Sequence, residues 1–152
     1  RLGDLEGGLA DLNVWTNAYL RAAVAKRTFT QQEIEDYYAA LPYADRTTRS
    51  PKKHLTKAHF KLHDGSSITE GTATEALLQY VLQCRRVLTL HEGLRWQDIR
   101  RYGIDVYRWK KIDAGAGEFG VLDEGVLLGT DLRQAIALPQ IAVTGKIKQN
   151  PR

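Results

Sequence analysis

The stretch 72–103 constrains this chain most. Thr72 stands three residues ahead of Glu75, the spacing of a capping box, in which hydroxyl and carboxylate each accept a backbone N–H at a helix start. From there Ala73, Ala76, Leu77, Tyr80, Val81, Cys84, Val87 and Leu88 recur at steps of three and four. That spacing lines them up on one face and predicts an amphipathic helix to about Leu90, with Gly93 as its breaker. A short second helix is predicted over about 96–101, stopping at Gly103. A long apolar face of this kind must be covered, so the flanking sequence has to supply partners for it.

Two helices upstream answer that need. Asp4 is placed to cap a helix running to about Ala25, with Leu5, Leu9, Leu12, Trp15, Tyr19 and Ala22 on one face. Gly7 and Gly8 weaken its first turn but let a neighbouring helix come close. Thr30 and Glu33 form a second capping box, with Phe29 and Ile34 in the staple positions. Ile34, Tyr37, Tyr38 and Leu41 then share a face, and Pro42 ends the helix. Residues 42–71 are polar and broken by proline and glycine, so they read as loop with at most a short extended piece. Beyond Gly103 the texture changes. "IDVYRWKKI" (104–112) suits a strand, "AGAGEFG" a loop, and "DLRQAIALP" (131–139) a second strand ended by Pro139.

At 152 residues, with 43% hydrophobic and 26% charged side chains, the chain is of a size for one globular domain. No apolar run reaches the length of a membrane span, and no secretory signal is visible. The chain contains no Met and opens inside an amphipathic pattern, as a portion cut from a longer protein would. Its lone cysteine, Cys84, has no intrachain partner and reads as a small buried hydrophobe. The net charge of +4 permits an acidic partner without demanding one.

Most motifs with chemical meaning fail on inspection. Gly115, Gly117 and Gly120 match G-x-G-x-x-G, but the "VLDEGVLLG" that follows opens no helix to hold a pyrophosphate. His91-Glu92 starts H-E-x-x-H, yet Arg95 stands where the second histidine belongs. His54, His59 and His63 lie among lysines, which repel a metal cation. No serine or cysteine has a nucleophile's context, and no pair of carboxylates is brought together by spacing. The expectation is a chain with no catalytic residues, no metal and no cofactor. One stretch remains: Arg95, Arg100, Arg101, Arg108, Lys110 and Lys111 interleave with Trp96, Tyr102, Tyr107 and Trp109. Cations that neutralise phosphates beside rings that stack on bases are a nucleic-acid grip. Glu92, Asp98 and Asp105 sit among them and offer the opposite reading, arginines paired inside a folded corner.

The segment "QCRRVLTLHEGLRWQDIRRYG" resembles the signature of the SusD/RagB family. The matching residues are Arg85, Arg86, Glu92, Gly93, Arg95, Trp96, Asp98, Ile99, Arg100 and Arg101. "RLGDLEGGLADLNVW" looks like the family's last tetratricopeptide-like helix, and "ALPQIAVTGKIKQNPR" is similar to its C-terminal stretch. Thr89 departs from the pattern, where a Glu is usual, and the C-terminal stretch is kept loosely.

The resemblance implies a fold that is mainly α with a small irregular β element, the C-terminal portion of a SusD-like, tetratricopeptide-containing protein. Residues 1–27 would be its last repeat-like helix and 28–71 a variable helix and loop region. Residues 72–103 would be the signature helices, and 104–152 a β element with a C-terminal tail. It further implies a surface-exposed lipoprotein of the outer membrane in Bacteroidetes, held by a lipid anchor upstream of residue 1. Such a protein captures oligosaccharides, or in some members peptides, for a SusC-like TonB-dependent transporter, without chemistry and with no nucleic acid. Arg85, Glu92, Arg95, Asp98, Arg100 and Arg101 would then form a structural ion-pair corner with Trp96 packed in the core. Ligand contacts are expected in the variable loops, where Tyr43, His54 and Phe60 are the candidates. Two rival expectations stand beside this one. One is a nucleic-acid-binding α+β domain using Arg95–Lys111. The other is a scaffold whose partner is the transporter alone.

Overall fold

The computed structural model describes residues 3–20, 26–45, 49–50, 56–62, 66–111, 119–129 and 131. The chain divides into two compact units. The first comprises Arg1–Tyr43, Leu55–Ala58 and Ser67–Arg95, and the second Ala44–His54, His59–Ser66 and Trp96–Arg152. Along the chain run α1 (Leu5–Tyr19), α2 (Gln31–Ala39), β1 (Arg49–Ser50), α3 (Ala73–Leu88), α4 (Arg95–Tyr102), β2 (Val106–Lys111) and β3 (Phe119–Leu127). Among the described residues the architecture is therefore mainly helical with a small sheet.

The first unit is built from α1, α2 and α3. Their starts are set locally. Asp4 Oδ1 accepts from Gly7 N at 2.8 Å. Thr30 Oγ1 accepts from Glu33 N while Glu33 Oε2 accepts from Thr30 N at 2.9 Å, the complete capping box. Thr72 caps α3 by accepting from Glu75 N. The reciprocal arm expected of this second box goes elsewhere: Glu75 Oε2 accepts from Gly71 N at 2.7 Å, one residue earlier. The core is Ile34, Tyr38 and Ala76, with Leu9, Phe29, Leu41, Leu77 and Tyr80 packed around it. Phe29 meets Tyr80 edge to face at 5.7 Å, in the same cluster as Ile34, where the staple pairing places it. Each large side chain buried here contributes roughly 1.5–3 kcal/mol.

Helix rotation differs from the periodicity reading at three places. On α1 the inward residues are Leu12 and Thr16, whereas Tyr19 is 63% exposed and stacks on half-buried Trp15 at 5.1 Å. The reason is polar. Asn13 clamps Phe29 by donating to its carbonyl and accepting from its N–H, both at 2.9 Å, and the Thr16 hydroxyl donates to the Arg27 carbonyl. Those bonds turn the 13–16 edge of α1 toward the chain entering α2. On α2, Tyr38 is buried but Tyr37 is 49% exposed, its ring edge against Tyr38. On α3 the apolar stripe fades at its end, where Val87 is 63% and Leu88 50% exposed. Instead Glu75, Gln79 and Leu82 are buried on a neighbouring face, where Gln79 is hydrogen-bonded to Ala58 of the 56–58 segment. Gly8 faces Leu77, but a methyl there would sit at 3.7 Å, an ordinary contact, so the small residue is not required. Cys84 is half-buried, and that burial pushes its thiol up to about 11.

The second unit holds α4 and the sheet. Strand order is β1-β3-β2 with both pairings antiparallel. β2 falls inside the strand predicted over 104–112. β3 occupies residues read as loop and non-helical chain, and Asp123-Glu124-Gly125 hides its alternation. Tyr107 pairs with Val126 but Trp109 with Val121, so the ladder is broken by a bulge on β3 at those residues. Gly103 ends α4 at φ +59°, and a Cβ there would lie 1.9 Å from the Lys61 carbonyl oxygen. Gly129 packs as tightly on the Gly103 carbonyl, with 1.8 Å left for a Cβ. The strand predicted over 131–139, the C-terminal stretch similar to the family's, and the loop glycines Gly115 and Gly117 lie outside the described residues, Asp131 apart.

Two outcomes test this fold. Gly129→Ala should cost about 3 kcal/mol in urea unfolding, because backbone and not a mobile side chain blocks the methyl. The Glu33 carboxyl is held down to about 2 from an ordinary 4.5 by hydrogen bonds from the Lys26 ammonium first, then Thr30. A depressed carboxyl stabilises the fold above its unfolded value and loses that contribution as pH falls through the folded one. Glu33→Gln should therefore flatten the pH dependence of the unfolding midpoint between about 4.5 and about 2, with little change below it.

Candidate functional site

The three loop candidates part company. His54 lies outside the described residues. Tyr43 is half-buried in the first unit, where its hydroxyl donates to both oxygens of Glu75, at 2.8 and 3.0 Å. The Glu75 carboxylate also accepts from Gly71 N and, at 3.3 Å, from Gln79 Nε2. Gln79 in turn grips both backbone groups of Ala58. Lys57, itself buried, holds its ammonium 4.2 Å from the centre of the Tyr43 ring. Burial, and then the bond to Glu75, raise the Tyr43 phenol above its ordinary value. With its hydroxyl and one face engaged, Tyr43 fastens the 56–58 segment to α3 and has little left for a ligand.

Phe60 belongs to the second unit and is differently placed. It is half-buried and meets the half-buried Tyr102 edge to face, at 5.9 Å and 62°. The exposed Arg101 lays its guanidinium over the Tyr102 ring, 5.7 Å from the centroid. Lys61 N donates to the Tyr102 carbonyl at 2.8 Å, so 60–62 runs against the end of α4. Asp105 completes the arrangement. Its carboxylate, 7% exposed, accepts from Lys61 Nζ at 2.9 Å, from Gly129 N at 2.6 Å and from the Tyr107 hydroxyl at 3.4 Å. Half-open aromatic rings bordered by long cationic side chains, on a backbone held by a buried carboxylate, form the arrangement here best suited to bind a polar ligand with an apolar face.

A second aromatic pair, Trp15 and Tyr19, lies on α1. The amides beside it are taken: Asn13 by Phe29, and Asn17 by the Thr28 hydroxyl and the Asn13 carbonyl. The recess between α1, α2 and α3 lined by Leu9, Ile34 and Leu77 has room for about 10 Å³, at the threshold for a single water.

The signature residues are split by burial. Asp98 is buried, and Arg95 and Trp96 are half-buried. Arg85, Glu92, Arg100 and Arg101 are exposed. Trp96 is thus a partly covered side chain of α4 and not the core residue expected. Glu92 makes no ion pair among the described residues. Two of the three carboxylates among the basic residues turn inward, Asp98 by burial and Asp105 onto Lys61 and Gly129, while Glu92 stays exposed. Among the described residues no three His, Cys, Asp or Glu side chains group to hold a metal, and no helix is long and apolar enough to cross a membrane. β3 begins at Phe119, inside the G-x-G-x-x-G stretch, and takes in its last glycine, Gly120, so the chain leaves the motif as a strand and not a helix.

Of the site's residues, Phe60 and Arg101 were named from sequence. Tyr102 and Asp105 entered the sequence reading only as parts of the basic-aromatic stretch and Lys61 only as a lysine beside the histidines, since their pairing joins positions some forty residues apart. No family model matches the chain, and neither a curated protein nor a solved structure shows significant similarity to it.

Trp96→Ala tests the placement of α4. Half-covered, it should cost about 2 kcal/mol in chemical denaturation, below the 3–5 of a fully buried tryptophan.

Proposed function

We propose that this protein is a non-catalytic glycan-binding protein of the SusD-like kind. In this reading it is a surface lipoprotein of the outer membrane that captures oligosaccharides for a SusC-like TonB-dependent transporter, and the chain is its tetratricopeptide-containing C-terminal portion. One observation carries it: the half-buried Phe60–Tyr102 pair, edged by Arg101 and Lys61 and steadied by Asp105. A pyranose ring presents an apolar face to an aromatic ring and hydroxyls to neighbouring polar groups, and these side chains offer both. The order of the signature supports the same reading, since its residues fall on a long helix, a turn and a short helix, α3 and α4.

A nucleic-acid interface on Arg95–Lys111 is the second reading. It is favoured by the inward turn of Asp98 and Asp105, which removes two of the acids that argued against it.

Titration calorimetry against plant, host and microbial oligosaccharides, with one single-stranded DNA, separates the two. Saccharide binding in the micromolar to millimolar range is expected, with Phe60→Ala weakening it about ten-fold for loss of a stacking contact. Binding of DNA alone, lost as salt rises, would replace the glycan reading with the nucleic-acid one.

A further inference from the structure

We infer that the ligand taken by the second unit is anionic, an oligosaccharide bearing carboxylate or sulfate groups; this rests on the glycan reading above. Surfaces of globular proteins usually intersperse charges of both signs. Here Arg100, Arg101, Arg108 and Lys110 are all exposed, and none forms an ion pair with a residue whose side chain is described. The two carboxylates in the same span, Asp98 and Asp105, are buried away from that surface. The stretch that alternates in sign along the sequence is therefore positive where solvent meets it.

The cations come in two pairs. Arg100 and Arg101 lie in the last turn of α4, where the helix dipole favours positive charge but leaves the guanidinium forks open. Arg101 is in contact with Tyr102, so this pair adjoins the aromatic edge. Arg108 and Lys110 stand two residues apart on β2, on one face of the strand and roughly 7 Å from each other. Arginine's planar fork takes a carboxylate or sulfate through two parallel hydrogen bonds, and lysine adds a point charge. A nucleic acid fits less well. Phe60 and Tyr102 meet at 62°, and one face of Tyr102 lies under a guanidinium, so the pair lacks the parallel open platforms on which successive bases stack. A single sugar ring needs only one open aromatic face.

The test is calorimetry on the full chain with four probes. They are an oligogalacturonate, a heparin-derived oligosaccharide, a neutral cello-oligosaccharide and oligo-dT. Variants are the double substitutions Arg100→Gln with Arg101→Gln, and Arg108→Gln with Lys110→Gln, checked for native circular dichroism. An acidic oligosaccharide should bind more tightly than the neutral one and weaken steeply between about 50 and about 200 mM salt. The Arg100/Arg101 double variant should lose about ten-fold or more, the loss of a charge-assisted hydrogen bond. Neutral saccharide bound as tightly as the acidic ones, with both variants unchanged, overturns the anionic inference and leaves the glycan reading standing. Oligo-dT bound alone, or no saccharide bound at all, overturns both.

Discussion

A carboxylate taken out of water is tolerated only where donors surround it, and each unit of this protein is organised about one such group. In the second unit Asp105 gathers Lys61, Gly129 and Tyr107, and so ties the 59–62 segment, the entry to β2 and the exit of β3 to one point. Gly103 and Gly129 allow the backbones to approach closely enough for those bonds. In the first unit Glu75 does the same for Tyr43, Gly71 and Gln79 at the start of α3. The apolar clusters supply most of the favourable free energy, but these two carboxylates decide which loop lies where.

That arrangement explains why the site takes its form. Phe60 is held near Tyr102 because the adjacent Lys61 is bonded twice, by its backbone to Tyr102 and by its ammonium to Asp105. The ring is thus positioned by its neighbour's hydrogen bonds, and needs no deep burial of its own. Tyr43 illustrates the opposite outcome. Another aromatic residue of the same loop region, it carries a hydroxyl that is drawn to Glu75 and a ring face covered by Lys57, which makes it a fastener.

Much of the helical framework was legible in the chain. Thr30 with Glu33, and the caps at Asp4 and Thr72, act within one turn, so their spacing is sufficient to read them. Rotation about each helix axis was less legible. Trp15, Tyr19, Tyr37, Val87 and Leu88 fit the apolar period, yet Thr16, Glu75 and Gln79 are buried more deeply. Periodicity scores side chains by hydrophobicity, whereas these positions are set by hydrogen bonds to segments far along the chain. β3 escaped for a related reason: a bulge at Asp123-Glu124-Gly125 interrupts the alternation that marks a strand. The candidate site was half visible, since Phe60 and Arg101 stand out as types while Lys61 and Asp105 acquire meaning only as a pair.

The sequence by itself determined where the helices start, that a long amphipathic helix leads into a short arginine-rich one, and that a strand follows Gly103. Each is a local property, a matter of caps, periods and backbone freedom over a few residues. Only the tertiary structure decided which charges face water. Arg100, Arg101 and Arg108 remain outside while Asp98 and Asp105 turn in, because a carboxylate can be satisfied by buried donors brought from other segments, whereas a bulky guanidinium is more readily left hydrated. The positive surface is therefore a consequence of folding, and the sequence shows only its ingredients.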